Sequence, residues 1–234
     1  MEKNYTIKRE ENLIETAREN PGSLYDEQYY NSDLSDGNTQ AYGRQEPWAS
    51  FFANIAEQIV RDYRPASVAD IGCAFGLLTE ALVDRGVDAY GFDISPYAIS
   101  QARRDMVERL SLHSITDPIP LRLSGKYDLA ICIEVLEHLP PEQIDSAIAN
   151  LCACADRIIF SSSPDDFDEP THFCVLPTET WLEKFAKHGF FPAKRDRAAK
   201  YIAPQARCVE NKNAKPYGLN YGLIRTVRKA LNRK

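Results

Sequence analysis

The chain has 234 residues, of which 44% are apolar and 26% are charged, so it can bury a sizeable core and form one domain with appendages. No apolar run approaches the roughly 20 residues of a membrane span, and residues 1–5 lack the apolar core of a signal peptide, so we expect a cytoplasmic protein. The net charge is −6, but residues 194–234 carry twelve Lys and Arg against two acids, which leaves about −16 for the rest.

Residues 1–45 form a polar N-terminal arm. They are rich in acids, Asn and Tyr and show no sustained apolar period, although residues 10–19 have the pattern of one short helix. The tyrosines Tyr25, Tyr29, Tyr30 and Tyr42 either offer an aromatic surface to a ligand or pack on the core, and both interpretations stay open. A helix is predicted directly after the arm, over residues 48–63.

A strand, a tight turn and a helix follow one another in residues 68–83. The apolar run Val-Ala-Asp-Ile breaks at Gly72, a second glycine follows at Gly76, and residues 77–83 have a helical pattern. Glycine in such a turn lets a ligand approach the backbone, and the free N–H groups of the new helix attract an anion. The turn therefore predicts the site of a small anionic cofactor.

The next predicted strand, residues 87–93, ends in Asp93, 21 positions after Gly72. A carboxylate at this place can accept hydrogen bonds from two ribose hydroxyls. The dinucleotide fingerprint G-x-G-x-x-G is not met, because Ala74 and Leu77 stand where its second and third glycines would be. This departure weakens the nicotinamide-dinucleotide interpretation.

Helices and strands continue to alternate after Asp93. Ser95 caps and Pro96 opens a helix that is predicted to reach about Leu110. The later predicted elements are a third strand near residues 112–115, a buried strand at 126–133, a helix at 141–152, a strand at 157–162, a long loop at 163–173 and a helix at 178–188. The ends of parallel strands form the ligand crevice in open α/β sheets.

Two motifs resemble those of class I S-adenosylmethionine-dependent methyltransferases. Asp70 followed by Gly72-x-x-x-Gly76, with Asp93 beyond it, resembles their first motif, and Tyr-Asp-Leu at 127–129 followed by Glu-Val-Leu-Glu-His-Leu at 134–139 resembles the fourth-strand region of their small-molecule branch. The resemblance implies an α/β fold, with a Rossmann-like, doubly wound, seven-stranded and mostly parallel sheet that ends in an antiparallel hairpin. It divides the chain into an arm or lid at 1–45, a methyltransferase domain at 46–210 and a basic tail at 211–234.

The resemblance also implies a site for S-adenosylmethionine. Asp93 would hold the ribose, Ile94 would lie against the adenine, and Arg44 would bind the carboxylate. Relatives often carry an acid after the third strand for the adenine amine, whereas His113 and the two residues after it stand here; Asp117 is an alternative partner. The residues expected at the cofactor are Arg44, Asp70, Gly72, Cys73, Ala74, Gly76, Asp93, Ile94, Ser114, Ile115, Cys132, Ile133 and Glu134.

Methyl transfer from a sulfonium is an in-line displacement, for which alignment of the reactants can supply about 7 to 11 kcal/mol. A hydroxyl acceptor also needs a base. His172, in the loop after the fifth strand, is the first candidate. His138, after the fourth strand, is the second, and a local hydrogen bond to Glu134 is an equally good interpretation of that histidine.

The acceptor is expected to be a small molecule. The runs Ser-Pro-Asp-Asp-Phe at 163–167 and Glu-Pro-Thr-His at 169–172 resemble methyltransferases of polysaccharide and glycosyl modification, which favours O-methylation of a sugar or a natural product. N-methylation of a small amine and an inactive, cofactor-binding interaction subunit are the alternatives. A nucleic-acid substrate is not expected, because the body of the chain is acidic and lacks the Asn/Asp-Pro-Pro-Tyr/Phe motif of enzymes that methylate base amines.

The acidic loop raises the question of a metal. Asp165, Asp166, Asp168, Glu169 and His172 offer ligands within eight positions, but they match no known metal loop, so we expect no metal. The six cysteines lack paired C-x-x-C spacing and are expected to be reduced and mostly buried. They are Cys73, Cys132, Cys152, Cys154, Cys174 and Cys208.

The basic tail has the pattern of a short amphipathic helix. Apolar residues recur at helical spacing between Leu219 and Leu231, and five Lys and Arg lie between Arg225 and Lys234. Such a helix either packs on the catalytic domain or docks on an acidic partner. The sequence does not indicate an oligomeric state.

Overall fold

The computed structural model describes residues 11–32 and 41–216. In these ranges the strands are β1 (Ser67–Ile71), β2 (Asp88–Asp93), β3 (Leu110–Leu112), β4 (Leu129–Ile133), β5 (Arg157–Ser161), β6 (Phe191–Pro192) and β7 (Arg207–Glu210). The α-helices are α1 (Glu11–Glu19), α2 (Glu27–Ser32), α3 (Trp48–Tyr63), α4 (Leu77–Asp84), α5 (Pro96–Ser100), α6 (Ile144–Cys154), α7 (Thr178–Lys187) and α8 (Arg197–Lys200). Short 3-10 turns occur at 21–24, 104–106, 136–138 and 141–143.

The strands form one seven-stranded sheet in the order β3-β2-β1-β4-β5-β7-β6. The five strands from β3 to β5 are parallel, and β7 runs antiparallel to both β5 and β6. The chain winds outward from β1 to β3 on one side and from β4 onward on the other, so the switch in direction lies between β1 and β4. Ligands of open α/β sheets bind at this point, beyond the carboxyl ends of the strands.

Apolar side chains cover both faces of the sheet. Every residue of β1 is buried, and its side chains alternate between the two faces as a strand requires. On one face Ile148 of α6 and Trp181 of α7 pack into the core. On the other face Ile59 of α3 and Leu82 of α4 do the same. The predicted doubly wound α/β fold with its antiparallel ending is confirmed.

The region after β2 differs from the prediction. The helix that begins at Pro96 ends at Ser100 instead of near Leu110, and β3 starts two residues earlier than expected. Arg103 pairs with Asp84 of α4 at 2.9 Å and with Asp105 at 2.7 Å, in an extended backbone conformation. These tertiary contacts override the local helical pattern.

The C-terminal hairpin is confirmed but is more elaborate than expected. β6 has only two residues, and α8 stands between β6 and β7. Pro192 pairs with Val209 at the edge of the sheet, where the missing N–H of proline is tolerated. The hairpin places the segment after α8 beside the ligand end of the sheet.

The arm packs on the body of the protein through its tyrosines. The Tyr30 ring lies 4.8 Å from Phe75, and the Tyr42 ring lies 5.1 Å from both Phe75 and Trp48. Tyr29 and Tyr30 are buried.

Two other expectations can be compared with the structure. The six cysteines are free and buried, as predicted. Within the described ranges, no helix is both long and apolar enough to cross a membrane. The predicted tail helix, like residues 1–10 and 33–40, lies outside the described residues.

Candidate active site

A cavity of about 490 Å³ opens beyond the carboxyl ends of β1, β2 and β4. Residues after these strands form its floor, and the arm, the start of α3 and the loop after β5 form its walls. Of the residues expected at the cofactor or as bases, those that line the cavity are Asp70, Gly72, Cys73, Ala74, Asp93, Ile94, Ser114, Ile115, Ile133, Glu134, His138 and His172. The fold thus brings together groups that are up to 102 positions apart in the sequence (from Asp70 to His172).

Asp93 joins the first two strands at the floor of the cavity. Its Oδ2 accepts a hydrogen bond from the Ala74 N–H at 2.7 Å, and its Oδ1 accepts one from the Ser95 N–H at 2.8 Å. The carboxyl is buried, and burial raises its pKa against the lowering effect of these hydrogen bonds. A carboxylate has about four acceptor sites, so Asp93 can also accept from a hydroxyl of a ligand.

Asp70, at the end of β1, is held from the side of α4. The Thr79 hydroxyl donates to its Oδ2 at 2.7 Å. Burial raises the pKa of Asp70 to about 7, although the Thr79 hydrogen bond lowers it. Two buried carboxyls, those of Asp70 and Asp93, therefore lie at the glycine turn. The negative charge of Asp93 disfavours ionisation of Asp70 and so also raises its pKa.

The segment after β3 provides a polar edge where an adenine is expected. His113 Nε2 is buried and has no hydrogen-bond partner among the described residues, and His113 lines the cavity with Ser114 and Ile115. The Ile115 carbonyl accepts from the Asn150 amide at 2.9 Å, which fixes the segment. An orphaned nitrogen beside apolar Ile115, with Asp93 at the next strand, fits the adenine and ribose of a nucleoside cofactor.

Glu134 follows β4 with a positive φ of 50°. Its Oε2 accepts from the Ser163 hydroxyl at 2.8 Å, so the residue after β4 is tied to the loop after β5. Burial strongly raises the pKa of Glu137, and Glu137 Oε1 accepts from the Ser163 N–H at 2.9 Å. A positive φ in a residue other than glycine, as at Glu134, costs about 1–3 kcal/mol, and such conformations cluster at functional sites.

The two candidate bases lie side by side. The rings of His138 and His172 are 4.6 Å apart. His172 Nδ1 lies 2.9 Å from the Asp166 carbonyl oxygen, and that oxygen can only accept, so Nδ1 carries the proton and Nε2 has the lone pair.

His138 is oriented by a short chain of hydrogen bonds. Its Nδ1 lies 3.1 Å from the Thr171 carbonyl oxygen and 2.9 Å from the Thr171 hydroxyl, which donates to Glu169 at 2.7 Å. Burial and the neighbouring His172 lower the pKa of His138 to about 3. His138 is therefore neutral at any pH near neutrality, and the expected local bond to Glu134 is replaced by the bond to Thr171.

Aromatic side chains close the cavity from the arm. Tyr25 lies edge-on to His138 at 5.5 Å, and Tyr29 lies at 6.4 Å from the same ring. Trp48 and Phe52, from α3, line the cavity beside them. The tyrosines thus both pack on the core and face the cavity, and their contact with a ligand stays a prediction.

Three residues expected at the cofactor are not among the residues that line the cavity. Gly76 packs under Leu110, Cys132 is fully buried beneath the floor, and Arg44 is bound to Glu80. Arg44 binds protein groups in the structure, and its contact with a cofactor carboxylate stays a prediction.

The sequence did not single out several residues that shape the site. Thr171 orients His138, Ser163 bridges two carboxyls, and Gln205 lines the cavity from the segment after α8. In the sequence, the loop at 163–173 stands out for its acids, for His172 and for the two runs that resemble sugar-modifying methyltransferases, and none of these indicates the contacts of Ser163 and Thr171. Among the described residues, no group of three or more His, Cys, Asp and Glu is arranged to hold a metal ion.

Comparison with known proteins places the chain in a family. The model of the methyltransferase domain family matches residues 41–193, more than half of the chain. A magnesium-protoporphyrin O-methyltransferase from Synechocystis is 36% identical over 102 residues, which cover 42% of this chain and 44% of that protein. A ubiquinone biosynthesis O-methyltransferase from Azoarcus is 31% identical over 148 residues, which cover 58% of each. The chain spans about half the length of these curated relatives.

Solved structures show the same fold. Magnesium protoporphyrin IX methyltransferase from Synechocystis, with bound S-adenosylmethionine, superposes with a TM-score of 0.54 at 21% identity, covering 81% of this chain and 95% of that one. A sugar N-methyltransferase from Streptoalloteichus superposes with a TM-score of 0.57 at 15% identity, covering 76% and 98%. These comparisons do not identify a sugar-modifying branch. On the matched domain, the two sequence motifs and the sheet order, the chain belongs to the methyltransferase domain family and has the class I S-adenosylmethionine-dependent methyltransferase fold.

Proposed function

We propose that this chain transfers a methyl group from S-adenosylmethionine to a hydroxyl of a small molecule, with His172 as the base. The observation that carries the proposal is the pairing of His172 Nδ1 with the Asp166 carbonyl, inside the cavity that also contains Asp93. This pairing fixes the tautomer whose Nε2 can accept a proton. The names of the curated relatives, which are O-methyltransferases, support an oxygen acceptor.

In this proposal the cofactor supplies an electrophilic methyl group when it is bound. Asp93 binds the ribose hydroxyls, and Ile94 and Ile115 enclose the adenine with His113 at its edge. Ile133, the last residue of β4, and Glu134, which follows it, lie at the methionine end, because the ends of β1 and β4 flank the switch in strand order. The arm tyrosines exclude water from the reacting atoms.

His172 takes the proton of the acceptor hydroxyl at Nε2. His138, with its pKa near 3, does not compete for that proton and acts as a neutral neighbour that orients the acceptor. A protonated His172 is then stabilised by the Asp166 carbonyl and by the Asp166 carboxylate, whose Oδ2 lies 3.7 Å from Nδ1.

The acceptor is a sugar or another small natural product, as the sequence runs at 163–167 and 169–172 of this chain suggest. The wall formed by Tyr25, Trp48 and Phe52 suits an apolar ring. A metal site in the acidic loop is not part of the proposal, and unchanged activity in chelator is the corresponding expectation.

A radiolabelled-methyl assay against a panel of sugars, phenols and amines tests the proposal. For a hydroxyl acceptor, His172→Ala should lower kcat by about 10² to 10⁴, because that is the usual contribution of a positioned base. Affinity for S-adenosylhomocysteine, measured by calorimetry, should stay within about twofold. The matched variant His138→Ala should lower kcat less, because His138 accepts no proton.

Amine methylation is the second candidate. Glu134, Asp166 and Glu169 line the cavity beside aromatic rings, and carboxylates with aromatic faces suit an ammonium group. An amine acceptor needs less base assistance, so full turnover of an amine by His172→Ala would replace the hydroxyl proposal with this one. Wild-type protein that binds the cofactor and methylates no acceptor class would favour an interaction subunit instead.

A further inference from the structure

Arg44 makes five hydrogen bonds that connect separate parts of the chain. Its guanidinium binds Glu80 through Nη2 and through Nε, the latter at 3.2 Å from both carboxylate oxygens. Nη2 also donates to the Phe75 carbonyl at 3.1 Å, and Nη1 donates to the Gln101 carbonyl at 2.8 Å. The arm is thereby joined to the glycine turn, to α4 and to the end of α5.

The two side chains of this ion pair differ in their exposure to solvent. The side chain of Glu80 is 8% exposed and that of Arg44 is 38% exposed. An exposed ion pair contributes little, but a buried carboxylate that loses its partner is costly. Arg103 approaches Glu80 at 3.8 Å, but Arg103 is shared with Asp84 and Asp105. Arg44 is therefore the main partner of the buried charge.

The Phe75 carbonyl lies next to the groups that form the cofactor floor. The residue before it is Ala74, whose N–H donates to Asp93 at 2.7 Å. Two residues before Arg44 is Tyr42, which lines the cavity and contacts the Phe75 ring at 5.1 Å. A single guanidinium thus fixes both the turn under the ligand and one aromatic wall above it.

We propose that Arg44 and Glu80 form a latch, an ion pair that docks the arm on the glycine turn and so preorganises the cofactor site without touching the cofactor. The proposal rests on the proposed function, because it assumes that S-adenosylmethionine binds in this cavity. It assigns Arg44 and Glu80 as positioning residues. The rival assignment is direct contact between Arg44 and the cofactor carboxylate.

Two ligands separate the latch from direct contact. S-adenosylhomocysteine has the amino-acid carboxylate, whereas 5′-methylthioadenosine keeps the adenosine and the sulfur but lacks that group. Calorimetric affinities for both are measured on the full chain, with wild type, Arg44→Ala, Arg44→Lys, Glu80→Gln and the double variant Arg44→Ala/Glu80→Gln. Thermal unfolding confirms that each variant is folded at the titration temperature.

The latch predicts that Arg44→Ala weakens both ligands equally, by about tenfold. Glu80→Gln should weaken them similarly, the double variant should be no worse than either single one, and Arg44→Lys should recover part of the loss. Arg103→Ala, the matched control, should stay within about twofold, because Arg103 does not bind the arm.

Direct contact predicts another pattern, which would overturn the latch. Arg44→Ala would then weaken S-adenosylhomocysteine alone, and Glu80→Gln would leave affinity unchanged or improve it by releasing Arg44. Wild-type protein that binds neither ligand would instead contradict the proposed function, so the two failures are distinguishable.

Discussion

At the scale of single residues, Asp70 shows how burial controls protonation. Its pKa of about 7 in the folded protein lies above the value of about 3.9 for an unfolded aspartate, so the folded state binds the proton more tightly. Its contribution to stability is therefore fully present below about pH 4 and is lost as the pH rises to about 7. The loss is the cost of burying the charged form.

Replacing Asp70 by asparagine should remove this dependence. The amide keeps an oxygen for the Thr79 hydroxyl and carries no charge at any pH. We measure the melting temperature of Asp70→Asn minus that of wild type, both without ligand. We expect this difference to be more positive at pH 8 than at pH 5. A difference that is constant between the two pH values would show that Asp70 is ionised throughout.

The residue scale also shows which parts of the site were predictable. Gly72 and Ala74 follow β1 and Asp93 ends the neighbouring strand β2, so two consecutive strand–helix units are enough to bring these residues together. The contacts of Tyr25 and Thr171 with His138 could not be predicted this way, because the His138 ring comes from a different part of the chain. The role of Arg44 at the cofactor carboxylate stays a prediction, and its partner Glu80 lies 36 positions away and could not be read from the sequence.

At the scale of elements, the turn between β1 and α4 depends on Gly76. Its φ is +81°, and a Cβ added there would lie 2.5 Å from Leu110 Cδ1. Gly86, at the end of α4, has a similar φ of +85° but no atom within 4 Å of the added Cβ. Both glycines have the left-handed backbone, but only at Gly76 would a side chain overlap a neighbour. A comparison of the two positions therefore separates backbone strain from steric overlap.

Gly76→Ala should therefore destabilise the protein more than Gly86→Ala. Both variants incur about 1–2 kcal/mol for the left-handed backbone, and Gly76→Ala adds about 1–3 kcal/mol of overpacking. At about 2–4 °C per kcal/mol, the melting temperatures should differ by about 2–12 °C. Equal losses would mean that Leu110 moves aside and that the turn is not held by β3.

Elements with a strong local signal agree with the prediction. The helix from Trp48 to Tyr63 has the predicted ends, because its apolar period is sustained over four turns. The helix after Pro96 is overpredicted, since ion pairs from Arg103 end the regular structure that periodicity alone would extend. The local sequence pattern predicts the start of an element more reliably than its end, because the end can be set by long-range contacts.

At the scale of the whole molecule, the topology explains why the site lies where it does. Parallel strands that wind outward in both directions leave a crevice between β1 and β4, and alternation of predicted helices and strands is enough to anticipate it. The acceptor is another matter. The walls of the cavity that would bind the acceptor come from the arm, from the start of α3 and from loops. No local sequence pattern specifies how these segments are placed relative to one another.

The central claim is that a nucleoside cofactor binds at Asp93, and one titration tests it most directly. S-adenosylhomocysteine is titrated into wild type, Asp93→Asn and the matched control Asp88→Asn, which lies at the other end of β2 and pairs with Arg109 and Arg122. Asp93→Asn should lose about 1.5–3 kcal/mol, a factor of about 10 to 150 in affinity, while Asp88→Asn should match wild type. Equal affinity of all three proteins, or no binding by wild type, would contradict the account.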